Sequence, residues 1–136
     1  MNAYVDSSAL LAVLLGERGG AAVKRAFARI ESAFASPLLE AEVRSALARE
    51  GLAAAVAAPA ITPIAWVYPD RPLTAELEAA LEAGHLRGAD LWHVACALWL
   101  ADGRQAELLF VTLDEPQRRV AARLGFKTVL GVAQGG

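Results

Sequence analysis

Apolar residues along this chain fall into short unbroken runs that alternate with stripes at helical spacing. Ala3-Tyr4-Val5 is a short apolar run, and Asp6-Ser7-Ser8 supplies helix N-cap residues after it, which predicts a strand followed by a helix over 9–15. Gly16 and the Gly19-Gly20 pair stop that helix, a second is expected over 21–30, and 32–35 reads as a short strand. Ser36-Pro37 is an N-cap followed by proline at the first helical position. The stripe Leu39, Val43, Ala46 and Leu47 then carries a helix to about Glu50, where Gly51 ends it. One or two short helical turns are expected in the Ala- and Pro-containing stretch to Pro63, and a strand over 64–68. A helix over 73–83 places Leu73, Leu77, Ala80 and Leu81 on one face and closes at Gly84. Gly88-Ala89-Asp90 leads into a helix to about Ala101, and Asp102-Gly103 is a turn. The apolar run 108–113 reads as a strand buried on both faces, with Asp114 directly after it. A helix over 116–124, closed by Gly125, and a last strand over 126–130 complete the pattern.

Strands alternating with helices predict a three-layer α/β/α sandwich with a central parallel sheet. At 136 residues, 1–136 reads as a single domain with one core, without internal repeat or linker, and with no low-complexity tail beyond Gly135-Gly136. Ala and Leu supply much of the 56% hydrophobic content, which favours helix. The formal charge of −2 argues against a wide, sequence-blind grip on nucleic acid, yet leaves room for a small acidic site with a few local arginines. One cysteine, Cys96, excludes an internal disulfide and argues against a cysteine-built zinc site; its apolar surroundings predict a buried core residue. The opening residues carry no basic leader, and the Ala-rich window 51–69 contains Pro59, Pro63 and Pro69, which would break a spanning helix. A soluble cytoplasmic protein with no membrane contact is therefore expected.

Ligands of open parallel sheets bind outside the carboxyl ends of the strands. Asp6 and Asp114 follow two predicted strands, Glu42 lies early in the helix after the second strand, and Asp90 lies in the first turn of the helix before the long apolar strand. Carboxylates gathered from distant positions repel unless a cation neutralises them, and an oxygen-only set selects hard ions such as Mg²⁺ or Mn²⁺. Such ions serve phosphoryl chemistry by activating water and steadying the leaving oxygen. Taken singly, Asp6, Asp90 and Asp114 read as helix caps before they read as ligands, and Glu42 as part of a solvated face.

Three segments raise the cluster above its parts: Tyr4-Val5-Asp6-Ser7-Ser8-Ala9-Leu10-Leu11; Leu86 through Gly88-Ala89-Asp90-Leu91-Trp92-His93 to Leu98; and Phe110-Val111-Thr112-Leu113-Asp114-Glu115-Pro116 through Leu124-Gly125-Phe126. In order and spacing the chain resembles the PIN-domain family, and in particular the small toxin ribonucleases of toxin–antitoxin pairs (the VapC type). The resemblance implies that Asp6, Asp90 and Asp114 are three acids of a magnesium site, with Mn²⁺ able to substitute. It places the fourth in Ser36-Pro37-Leu38-Leu39-Glu40-Ala41-Glu42-Val43, where Glu42, directly before Val43, fits the family pattern better than the alternative Glu40. It implies a metal-dependent endoribonuclease that hydrolyses RNA phosphodiesters, a cognate antitoxin protein as partner, and a homodimer.

Ser7 and Thr112 match hydroxyl positions near the metal in that family, and read equally as a cap and a strand-end hydroxyl. His93 shares a helix face with Asp90, three residues on, and is read as a partly buried packing histidine rather than as a general base. Trp92 and Trp99, seven apart, read as core or partner packing, and His85 as a surface loop residue. The basic groups Lys24, Arg25 and Arg29, then Arg44 and Arg49, then Arg118, Arg119 and Arg123 read mostly as solvated helix faces, some of them near RNA phosphates. An aspartyl-nucleophile phosphatase usually wants a second acid two residues after the first, and Ser8 stands there. The other rival is a non-catalytic PIN-like module that binds RNA or protein.

Overall fold

The structure, a computed structural model, describes residues 1–129. Five parallel strands form one sheet in the order β3-β2-β1-β4-β5: β1 (Asn2–Val5), β2 (Ala33–Ala35), β3 (Ile64–Trp66), β4 (Leu108–Val111) and β5 (Lys127–Thr128). Helices α1 (Ser7–Leu14), α2 (Gly20–Phe27), α3 (Leu38–Arg49) and α4 (Ala58–Ile61) belong to the first half of the chain. Helices α5 (Thr74–Ala83), α6 (Gly88–Ala101) and α7 (Glu115–Arg123) belong to the second. This is the expected three-layer α/β/α arrangement.

The two-residue period of the strands divides the core between the layers. Tyr4, Leu108 and Phe110 point to one side, where they meet Ala80 of α5, Val94 to Ala97 of α6, and Val120 and Ala121 of α7. Ala3, Val5 and Val111 point to the other, against Leu10 of α1, Val23 of α2, and Leu39, Val43 and Leu47 of α3. Tyr4 stacks on Phe110, with ring centroids 5.6 Å apart. Cys96 is buried, as expected.

Several edges differ from the sequence reading. β4 stops at Val111, so Thr112 and Leu113 already belong to the loop, and Asp114 stands three residues past the strand rather than directly after it. Side chains end the ladder there: the Leu113 N–H donates to Ser8 Oγ and the Asp114 N–H to Thr112 Oγ1, each at 3.0 Å. Leu81 is exposed, because the stripe Leu73, Leu77, Ala80 is narrow and the next position has already rotated off it. The last strand is two residues long; Leu130, which the sequence reading included, and the glycine-ended tail lie outside the described residues.

Strand order sets the position of the site. From β1 the chain builds outward to β2 and β3, then crosses back to start β4 on the other side of β1. The β1–β4 pair is thus a switch point, where loops leave the carboxyl edge in opposite directions and open a crevice.

Candidate active site

Asp6 directly follows β1, and its N–H donates to Val111 O at 3.1 Å, which carries the β1–β4 ladder one residue beyond the strands. Its carboxylate caps α1: Oδ1 accepts from the Ala9 N–H at 3.3 Å and from Ser8 Oγ at 2.6 Å. Only 2% of Asp6 is exposed, and burial pushes its carboxyl up from 3.8 to about 6, against the opposing pull of the Ser8 hydroxyl and the Ala9 N–H. Asp114 caps α7 in the same manner, Oδ2 accepting from the Gln117 N–H at 3.0 Å. Capping was the modest alternative for both acids, and both do cap; the bonds that do so fall on one oxygen of each carboxylate.

Asp90 does not cap. Arg87 is the N-cap of α6, and Asp90 sits within the first turn, where the helix dipole favours an anion. Its carboxyl is nonetheless raised, by burial first and then by the negative charges of Asp114 and Glu42. Asp90 and Asp114 line one cleft of about 370 Å³ together with His85, Leu86, Arg87 and Pro116. Glu42, outside that cleft lining, projects from α3 toward α6, where its Oε1 lies 2.7 Å from His93 Nε2. Glu40 turns away and pairs with Arg44 at 2.8 Å on the exposed face of α3.

The structure therefore brings Asp90 and Asp114 into one cleft, with Glu42 in electrostatic reach of Asp90. It joins Asp6 to them through hydroxyls. Ser8 Oγ touches Asp6 and stands 3.2 Å from Thr112 Oγ1; Thr112 in turn accepts the Asp114 N–H and donates to Gln117 Oε1 at 2.8 Å. Gln117 is fully buried, and its Nε2 donates to the Asp90 carbonyl at 3.1 Å. Among the described residues, no three His, Cys, Asp or Glu side chains stand close enough, as placed, to grip an ion. In chemistry the set fits a hard cation: it is all oxygen, and the raised Asp6 and Asp90 carboxyls are those that a nearby positive charge would relieve.

Sequence reasoning passed over four participants. Ser8, not Ser7, carries the hydroxyl bonded to Asp6. Gln117 ties α6, β4 and α7 together; its signal was the Asp114-Glu115-Pro116-Gln117 spacing of a capping box, although the amide turns inward instead of back to the cap. Arg87 fell outside the basic groupings, yet it lines the cleft of Asp90 and Asp114. His93, read as packing, is fully buried but binds Glu42. Trp92 and Trp99 are half-buried against the core, and Trp92 Nε1 donates to Ser36 Oγ at 3.0 Å. Several arginines of the basic groupings are occupied: Arg44 by Glu40, Arg118 by Glu115, and Arg123 by the Ala83 carbonyl.

No helix among the described residues is long and apolar enough to cross a membrane. No curated protein matches the chain. The family model described as PIN domain matches residues 3–123, a span that holds all four carboxylates and, but for Asn2 at the start of β1, the first four strands. The PIN domain is generally a nuclease module whose members use divalent metal ions. With an all-parallel sheet, acids at its switch point and a match over most of its length, this chain belongs to the PIN domain family.

Proposed function

We propose that this chain is a magnesium-dependent endoribonuclease, one nuclease domain over 1–136, and the toxin of a toxin–antitoxin pair. The carrying observation is that Asp90 and Asp114, from separate elements, share one cleft at the carboxyl edge of the sheet, with the Asp90 carboxyl raised by burial and by the charges of Asp114 and Glu42, and Asp6 joined to them through hydroxyls. Asp6, Glu42, Asp90 and Asp114 would hold Mg²⁺, with Mn²⁺ able to substitute. When bound, such an ion lowers the pKa of water and offsets charge on phosphoryl oxygens. The chain's own residues do the rest. Ser8, Thr112 and Gln117 fix Asp6, Asp114 and the first turn of α6, so little rearrangement of the backbone accompanies loading. Exposed Arg87, beside Asp90 and Asp114, is placed to meet a backbone phosphate of RNA. The toxin assignment rests on the three motif segments, and it brings with it an antitoxin that covers the site and a homodimer.

The test is incubation of the purified chain with a mixed RNA pool, in Mg²⁺ and in Mg²⁺ with excess EDTA. Discrete fragments that vanish with EDTA are expected. RNA bound but left whole, in Mg²⁺ or Mn²⁺, would make the chain a non-catalytic PIN module; cleavage indifferent to EDTA would remove the metal from the account.

A further inference from the structure

We infer that His93 is a positioning residue: clamped by Tyr4, it fixes the carboxylate of Glu42 toward the acidic cluster. The inference rests on the nuclease reading above. His93 lies on α6, fully buried, three residues after Asp90. Its Nδ1 stands 2.9 Å from Tyr4 Oη and its Nε2 2.7 Å from Glu42 Oε1. Tyr4 Oη also accepts the Ser36 N–H at 3.1 Å.

With the imidazole neutral, counting hydrogens gives this line one direction. An ionised carboxylate only accepts, so Nε2 carries the hydrogen that binds Glu42. The neutral ring then has a bare Nδ1, and the Tyr4 hydroxyl satisfies it by donating. The Tyr4 oxygen keeps a lone pair for Ser36. Each donor points toward Glu42, and no group in the line is left without a partner.

The members are held independently of one another. Tyr4 is buried in β1 and stacked on Phe110, with 17° between the ring planes, and it meets His93 edge-on at 5.9 Å. Ser36 precedes α3, its Oγ accepting from the Leu38 N–H at the start of the helix and from Trp92 of α6. The line thus starts just ahead of α3 and ends on it, passing through β1 and α6. Glu42 is the one member with appreciable exposure, 27% of its side chain. A glutamate on a helix surface ordinarily samples many rotamers, and ordering it on loading would weaken binding. Here the imidazole has already selected one.

The test measures Mn²⁺ affinity by electron paramagnetic resonance of free Mn²⁺, with kcat and KM for RNA cleavage, on folded wild type, His93→Leu, His93→Gln, Tyr4→Phe and Asp6→Asn. His93→Leu should lose roughly 10–100-fold in Mn²⁺ affinity and in kcat, the usual loss when the partner of a ligand is removed, with KM for RNA little changed. His93→Gln, whose amide offers an N–H near the Nε2 position, should recover most of the loss. Tyr4→Phe, which keeps the ring, should lose a smaller factor in the same two quantities. His93→Gln as impaired as His93→Leu, or Tyr4→Phe equal to wild type, would reduce His93 to packing and overturn the inference. Should His93→Leu fail to fold, Tyr4→Phe and His93→Gln decide by the same criteria. Asp6→Asn separates the two levels: if it loses Mn²⁺ and activity while every His93 and Tyr4 variant matches wild type, this inference alone fails. If wild type itself neither binds Mn²⁺ nor cleaves, the nuclease reading fails with it.

Discussion

Two glutamates two residues apart on α3 meet opposite fates. Glu40 spends its charge on Arg44 in solvent, an exposed pair worth about 0.3–0.5 kcal/mol, whereas Glu42 is drawn inward to His93. Glu42→Gln should therefore lower RNA cleavage by at least about a hundredfold, while Glu40→Gln should leave most of the activity; turnover numbers for both, on folded protein, check this. The opposite result would shift the register of the acid by two residues without touching the mechanism. Asp6 makes a second prediction through its raised carboxyl. The unfolded chain ionises this group near 3.8 and the folded one near 6, so without metal the folded state holds the proton longer. Stability is then fully present below about 4 and is lost as pH rises toward and through 6, by on the order of 2–3 kcal/mol. Asp6→Asn removes the ionisation, so in metal-free buffer the variant should gain on wild type between pH 4 and 7; a constant difference in melting temperature across that range would refute the cause assigned to the shift. At this scale the acids were legible in sequence because their positions follow from strand ends and motif spacing. Ser8, Gln117 and the role of His93 were not, because their meaning depends on partners up to about a hundred positions away, such as Thr112 for Ser8 and Glu42 for His93.

Elements hold the site through a few close approaches. Gly20 opens α2 directly against α1: a Cβ there would lie 2.6 Å from the Ala12 carbonyl oxygen, backbone that cannot step aside. Gly20→Ala should push the two helices apart and destabilise by about 1–3 kcal/mol, measurable as a lower urea midpoint. Ser8 fastens the β1–α1 turn to the loop after β4, since its hydroxyl serves both Asp6 and the Leu113 N–H. Ser8→Ala would strand the Leu113 N–H and leave Asp6 Oδ1 with the Ala9 N–H alone, costing about 1–3 kcal/mol and loosening Asp6 and Asp114 relative to one another. The period of each element, and hence its type, was readable from the chain. Their ends were less so: β4 was read two residues too long because Thr112 and Leu113 are as apolar or β-prone as the strand before them, and a side-chain hydroxyl from α1 ends the ladder. Leu81 was placed in the core because a stripe on a helix has a width that sequence alone does not define.

Across the whole molecule, the order β3-β2-β1-β4-β5 matters more for function than any single contact. Alternating strands and helices implied a parallel sheet, and the position of β1 at its centre is what sets Asp6 beside the loop that carries Asp114. The crossing from β3 to β4 brings α6 and Asp90 over the same edge. On the proposed reading a cation relieves the raised Asp6 and Asp90 carboxyls, so Mg²⁺ or Mn²⁺ should raise the melting temperature by mass action. At a hundred times the dissociation constant the gain is about 2.7 kcal/mol, or several degrees for a chain of this size. The most direct test of the central claim is the rate of RNA cleavage by Asp90→Asn against wild type at saturating Mg²⁺. Asp90 caps nothing, and asparagine keeps its volume, so the variant should fold and still bind RNA. The account predicts a loss of at least about a hundredfold in kcat, with RNA binding retained. Cleavage by folded Asp90→Asn at the wild-type rate would contradict it.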